Sequence, residues 1–380
     1  MRRLLLLALG LSFPAPGAPL PPWTPGTLDI HHIHTGRGNA AFVQFPDGTT
    51  LLIDSGAIPE TTTPRAGQSI AHYIAQRAKS LDYALVTHYH DDHIGALTID
   101  APKTATPAGY KLTGLTDVAE LLPISKLLDR GDTPSPPPSP MLANYRAYRN
   151  SLGYRAATLE AGRADQIVPL HGGQFQVRTV AVNGRVWTGV ADHSRSVFPA
   201  NWQTLPAEDQ PSENHYSAAI VIRYGAFDYY TGGDLVGVPL DGAPSWHDLE
   251  TPLAQVLGPV DTMVLNHHGW LDTTNPTFLA TLRPRVVVIP TWHATHPDHG
   301  VLRRLIAPRS YPGPRDLFAT GLLDAPRAVF SYLRHNPFSS EQGHVVIRVA
   351  PGGDTYRVYV LDLSHLRPEV KTVHGPYQSH

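Results

Sequence analysis

The chain has 380 residues, 42% hydrophobic and 16% charged, which is globular composition and excludes a disordered polymer. The length suits one large domain or two small ones. A formal net charge of −2 supplies no global basic field for nucleic acid, and the absence of cysteine excludes disulfides, thiolate metal ligands and cysteine-linked lipid.

The chain opens with Met1-Arg2-Arg3, an almost wholly apolar run from Leu4 to Leu11, and small residues around Ala15 and Gly17. That is the layout of a signal peptide over 1–17, so a secreted or periplasmic protein is expected. The apolar run is far short of the ~20 residues that a spanning helix needs, and no later stretch is apolar enough to cross a membrane. Residues 18–27 are Pro-rich and read as a linker ahead of a domain over 28–365, with 366–380 as a tail.

Leu28 to His34 alternates like a strand. His31, His32 and His34 on it are expected in surface or substrate-rim roles. After the turn Gly36-Arg37-Gly38, Ala40–Phe45 and Thr49–Ile53 read as a hairpin around Pro46-Asp47-Gly48, ending in Asp54-Ser55-Gly56. Gln68 to Ser80 has helical spacing, with Ile70, Ile74 and Ala78 on one face. It leads to the short apolar run Tyr83-Ala84-Leu85-Val86.

Directly after that run comes Thr87-His88-Tyr89-His90-Asp91-Asp92-His93. Side chains alternate on an extended backbone, so His88 and His90 point one way and Asp92 and His93 fall on the opposite wall of the turn. The pattern suits two adjacent cations, the first pair holding one and the second pair the other. Imidazole and carboxylate are the ligands zinc takes when no thiolate is offered. With 21 histidines in the chain a chance cluster is the competing reading, but three His and one Asp at this spacing favour metal.

Residues 100–165 read as a helical and Pro-rich insertion over the site. Leu115–Leu128 is helical in character, broken at Pro123; 131–140 is low-complexity; Met141–Leu152 is a helix. Gly172–Val182 alternates as strands before the turn Asn183-Gly184. Ser212-Glu213-Asn214-His215-Tyr216-Ser217 precedes the strand Ala218–Arg223, a turn, the strand Phe227–Tyr230 and Thr231-Gly232-Gly233-Asp234. Val260–Asn266 is a strand leading into His267-His268-Gly269, and Val286–Ile289 one leading to a loop that ends His296-Pro297. Val345–Val349 and Tyr356–Leu361 read as edge strands.

The H-x-H-x-D-H run, the T-G-G-D, the H-H-G and the final His-Pro resemble the metallo-β-lactamase superfamily. The resemblance is greatest to the branch containing the extracellular domain of the DNA-uptake protein ComEC and its secreted relatives. It covers about Leu28 to Leu363. It implies an α/β fold, an αββα sandwich, with two divalent ions, zinc first and manganese second. The ligands implied are His88, His90, Asp92, His93, the bridging Asp234, and His267 or His268, with His267 favoured because it follows the strand directly. Asp54 would be the buried aspartate orienting the metal loop, and Asp92, Asp234 and His296 the catalytic groups. Asn183 stands where much of the superfamily has a further histidine, with His171 and His193 as imperfect substitutes.

The function expected is a binuclear metal-dependent hydrolase using a metal-bridging hydroxide, most favoured on phosphodiester bonds, a preference carried by the resemblance alone. A lactone, carboxylic ester or amide (β-lactam) hydrolase would use the same ligands. A metal-free binding protein of the same fold is a third class. A nucleic-acid substrate is conceivable by kinship, though Arg303-Arg304 and Arg309 make no basic patch.

Overall fold

The computed structural model describes residues 16–57, 64–97, 106–132, 138–364 and 367–380. Most of the stretch expected to be a signal peptide, up to residue 15, and the centre of the low-complexity run, 133–137, lie outside them.

The first half of the chain runs β1 (Leu28–His32), β2 (Ala41–Gln44), β3 (Thr50–Ile53), α1 (Ala66–Ala75), β4 (Leu81–Leu85), α2 (Asp91–Ile94), α3 (Leu115–Leu121), β5 (Ile124–Asp129), α4 (Pro140–Ser151) and β6 (Ala156–Thr158). There follow β7 (Gln176–Val182), β8 (Arg185–Trp187), β9 (Ser194–Ser196), β10 (Ala219–Tyr224), β11 (Phe227–Thr231), α5 (Glu250–Leu257), β12 (Thr262–Val264), α6 (Pro276–Leu282), β13 (Val286–Ile289), α7 (His299–Ile306), β14 (Asp316–Ala319), α8 (Asp324–Val329) and β15 (Phe338–Ser340). The chain ends in β16 (His344–Val349), β17 (Thr355–Leu361) and β18 (Val370–Gln378).

These strands make two nine-stranded sheets, β18-β17-β16-β1-β2-β3-β4-β5-β6 and β15-β14-β13-β12-β11-β10-β7-β8-β9. Alternate residues of β1 show the layering. Leu28 and Ile30 enter a core shared with Ile220, Tyr229 and Val288 of the other sheet. Ile33 and Phe42 face outward, under Ile70, Ile74 and Tyr73 of α1. On the other outer face, α5, α6 and α7 set Leu253, Phe278 and Leu302 against Val287 and Met263. Helix, sheet, sheet, helix is the expected αββα order, and each layer buries the apolar face its neighbour needs covered.

Local chemistry starts the helices. Ser139 caps α4 by accepting from Leu142 N–H at 3.1 Å, with Pro140 at the first helical position. At the start of α1, Gln68 Oε1 reaches back to accept from Arg65 N–H at 3.1 Å.

Several expectations change. Within the stretch 100–165, expected to be an insertion over the site, β5 pairs with β4 and with β6 as part of the first sheet. The helical reading of Leu115–Leu128 stops at Leu121, because Pro123 removes a helix donor and Ile124–Asp129 is then pulled into parallel pairing. The stretch 366–380 supplies the nine-residue β18 rather than a loose tail, so β16 and β17 are interior strands and β18 is the edge. The first described residues are tied down as well: Gly17 N–H donates to Val370 O at 2.9 Å, and Val370 N–H to Ala18 O at 2.9 Å. Among the described residues no helix is long and apolar enough to cross a membrane.

His31 and His32 are each 1% exposed, against the surface roles expected. His31 Nδ1 lies 2.9 Å from Tyr73 Oη, and the His32 ring packs 5.8 Å from Tyr229. Burial holds the His32 imidazole down to about 3. An unfolded chain protonates this histidine below about pH 6.5 while the fold keeps it neutral, so its effect is nil above that pH and stability falls as pH drops toward 3. At pH 5 the loss is about 2 kcal/mol for this one residue. His32→Phe should flatten the urea-unfolding free energy between pH 7 and 5, and an unchanged slope would refute the assignment.

Candidate metal centre

The carboxyl ends of β3 and β4 lie side by side in the first sheet, and those of β11 and β12 in the second. In open α/β sheets this is where ligand groups collect. Asp54 follows β3, Thr87 and His88 follow β4, Asp234 follows β11, and Asn266 to Gly269 follow β12. His90 caps the single helical turn α2, its carbonyl accepting from His93 and Ile94 N–H, both at 3.1 Å. That turn swings Asp92 and His93 inward. Gly38 presses so closely on it that a Cβ there would stand 1.8 Å from Asp92 O.

Two groups of donor atoms result, each with its atoms within 4.8 Å of one another: Asp92, His93, Asp234 and His268, and His88, His90 and Asp234. Asp234 belongs to both. Its Oδ1 lies 3.1 Å from His93 Nε2 and 3.5 Å from His268 Nε2, while its Oδ2 lies 3.7 Å from His88 Nε2. His268 Nε2 is 3.1 Å from Asp92 Oδ2, and His88 Nε2 is 3.1 Å from His90 Nδ1. The positive-φ turn at Gly233 makes this possible: a Cβ there would meet Thr87 Oγ1 at 2.6 Å.

Each inner imidazole is aimed from behind. His93 Nδ1 contacts Asp54 Oδ2 at 2.7 Å. Asp54, held at φ 57, also accepts from Thr87 N–H at 2.8 Å and from the Thr87 hydroxyl at 2.9 Å. His268 Nδ1–H donates to Pro290 O at 3.1 Å. Both rings therefore turn the Nε2 lone pair into the cluster, the tautomer metal ligands need.

The fit to a cation shows in what is left over. His93 Nε2 and Asp234 Oδ1 are buried and make no hydrogen bond, although they face each other. Burial opposes a proton on His93, yet Asp234, Asp54 and Asp92 together hold its proton affinity well above the ordinary imidazole range. Burial likewise opposes charge on Asp234, and His93, His268 and His267 keep its carboxyl well below the carboxylate range. A proton on His93 and a divalent ion are alternative ways to compensate these carboxylates, so loading with metal should release protons. Replacing Asp54 by Asn should weaken metal affinity about 10–100-fold by unseating His93. Competition with a chromogenic chelator would measure this, and unchanged affinity would contradict the orienting role.

His268, not the favoured His267, joins the cluster. The strand ends at Val264, and both histidines take left-handed backbone, φ 47 and 55, so the extended geometry assumed for the pair does not hold. His267 stands beside the site, Nδ1 at 2.8 Å from Asp272 and Nε2 at 3.6 Å from Asp234 Oδ2. Burial opposes its proton, but Asp234 and Asp272 raise it to about 9.

His296 is outside both groups. It is buried, stacked on His268 at 5.1 Å, with Nδ1 unbonded. Asn183 donates from Nδ2 to Arg130 O at 2.7 Å, and His171 and His193 are exposed away from the cluster, so among the described residues the second group keeps three members.

One support was not seen in the sequence. Arg130, fully buried, grips Glu213 through Nε and Nη2, both at 2.7 Å, and Glu213 accepts from Tyr89 N–H at 2.9 Å inside the metal loop. No motif marks Arg130, because its partner lies in a distant loop.

Residues 35–108 match the profile of the Metallo-beta-lactamase superfamily. No curated protein matches the chain. Among solved structures it is similar to the metallo-beta-lactamase fold protein YhfI from Bacillus subtilis, at 14% identity over 83% of this chain and 95% of that one, TM-score 0.36. It is similar to a diphosphatase of the PhnP family, at 11% identity over 85% and 98%, TM-score 0.34. The short form of human tRNase Z is similar at 13% identity over 68% and 91%, TM-score 0.31. The segment that supplies Asp54, His88, His90, Asp92 and His93 is thus the segment that matches the Metallo-beta-lactamase superfamily.

Proposed function

We propose that the protein is a secreted, binuclear metal-dependent hydrolase acting on phosphodiester bonds. The observation that carries the binuclear reading is Asp234, whose two oxygens face two different sets of histidine nitrogens. A pair of divalent ions, zinc or manganese, would supply Lewis acidity and an activated water at neutral pH.

The chain's own groups do the rest. Asp92, His93, Asp234 and His268 would hold one ion; His88, His90 and Asp234 the other. Asp92 and Asp234 would accept hydrogen bonds from the attacking water and so orient it. His296 Nδ1, buried and unbonded, is the group we assign to hydrogen-bond the leaving oxygen. Burial and the neighbouring His268 hold its imidazole down to about 2, so it acts as a neutral donor.

The phosphodiester preference, and kinship with the ComEC-like branch, rest on the T-G-G-D, H-H-G and His-Pro motifs. The second reading is a lactone, ester or β-lactam hydrolase using the same ligands. Nucleic acid is the less favoured diester, given a net charge of −2. The test is a panel of bis-p-nitrophenyl phosphate, lactones and nitrocefin on zinc- and manganese-loaded protein, with His90→Ala as control. Turnover of the diester, lost in the control, is expected. Turnover of lactones alone would replace the first reading with the second.

A further inference from the structure

A separate cavity of about 440 Å³ opens on the outer face of the first sheet. It lies at the end of the strands opposite the metal centre: Asp29 on its floor pairs with Gln44, and Gln44 with Thr50 at the start of β3, whereas Asp54 follows the end of that strand. One wall is apolar and comes from the segment after residue 18, with Leu20, Pro21, Pro22 and Trp23. The Trp23 indole is fixed by its Nε1–H, which donates to Thr27 O at 2.7 Å.

The floor is charged and built. Arg348 grips Asp29 through Nε at 2.7 Å and Nη2 at 2.6 Å, across directly paired positions of β16 and β1. His31, next on the same face of β1, is 1% exposed and its Nε2 has no hydrogen-bond partner. Its Nδ1 meets Tyr73 Oη at 2.9 Å. With the Tyr73 hydroxyl donating to Nδ1, Nε2 carries the hydrogen and turns it toward Asp29 Oδ2, 3.6 Å away.

Arg77, at the end of α1, and Arg367 also line the cavity. Arg77 lies 3.8 Å over the Tyr73 ring and donates to Tyr73 O, and among the described residues neither arginine forms an ion pair. Three guanidinium groups face two carboxylates here, Asp29 and Glu369, leaving one positive charge in excess.

We propose that this cavity binds a small organic carboxylate with an apolar body. The guanidinium groups of Arg77 and Arg367 take the anion, in the planar geometry that suits carboxylate. Leu20, the prolines and Trp23 cover the apolar part. The volume is within the range of small-molecule sites. One excess charge matches a monoanion and is insufficient for a phosphate dianion, with Glu369 repelling the second charge.

The test is titration calorimetry on the full, zinc-loaded chain with 4-phenylbutyrate, its neutral amide and inorganic phosphate. The carboxylate should fill one site per chain, and the amide should bind at least about tenfold more weakly. Arg77→Gln combined with Arg367→Gln should also weaken the carboxylate by at least about tenfold, without changing the hydrolysis rate. No saturable binding, an amide or phosphate that binds as well, or a smaller effect of the double variant would overturn the proposal. In the last case the probe would belong to the metal centre. Trp23→Ala, which leaves the charges in place, should weaken the carboxylate and the amide alike.

Discussion

Replacing Asp234 by asparagine is expected to lower kcat/KM on the best diester by at least about 10³-fold, some 4 kcal/mol of transition-state stabilisation. Losing a group behind a ligand typically costs only about 10–100-fold in affinity or activity. Asp234 does more, since its Oδ1 serves His93 and His268 while its Oδ2 serves His88. The amide has one weak acceptor and no charge, so both ion sites lose their shared anion at once. His268→Ala should be comparably severe, and His267→Ala milder, because only His268 shares a donor group with Asp92, His93 and Asp234. Steady-state kinetics on the three variants decide this. An Asp234→Asn enzyme within tenfold of the parent, or His267→Ala worse than His268→Ala, would show that the two groups are misassigned.

Arg130→Met is expected to destabilise the fold by about 3–5 kcal/mol, the range for stripping one partner from a buried ion pair. Both side chains are almost wholly enclosed, at 0% and 8% exposure, and the pair is bidentate. The Arg130 guanidinium also lies 4.5 Å over the Tyr89 ring and 5.0 Å over that of Tyr216. Methionine would fill part of the volume and leave the Glu213 carboxylate buried without its counter-charge. The double variant Arg130→Met/Glu213→Leu should recover much of the loss, since removing both charges removes the desolvation cost. Urea unfolding of the single and double variants measures it. A loss below about 1 kcal/mol in the single variant would place the pair among exposed, weakly coupled ion pairs. Because Glu213 also receives the Tyr89 amide, the single variant should bind metal more weakly even where it remains folded.

The difference between Asp234 and Arg130 also shows what the sequence can reveal. The His88–His93 run was legible because its spacing alone limits where the side chains can go, and the sorting of His88 and His90 from Asp92 and His93 needs only a strand end and one helical turn. Asp234 came from the resemblance, through its place in the strand, turn, strand, T-G-G-D order; as an isolated G-G-D it would read as a turn. His268 was not legible, since the choice between adjacent histidines turns on two left-handed residues that the sequence does not announce. The strand Ile124–Asp129 was hidden by the helical character around it and gained its identity only from pairing with β4. The burial of His31 and His32 was missed for a related reason. The stretch reads as a strand, but alternation does not show that its outer face is roofed by α1 and its inner one by the second sheet. Arg130 and Glu213, 83 positions apart, form a tertiary contact with no local pattern to betray it.

Anomalous diffraction from zinc-soaked crystals, collected on both sides of the zinc edge, tests the central claim most directly. Two peaks are expected, roughly 3.5–4 Å apart, one beside Asp234 Oδ1 among Asp92, His93 and His268 and the other beside Oδ2 against His88 and His90. No peak at Asp234, or peaks held by other residues while these donors stay vacant, would contradict the account.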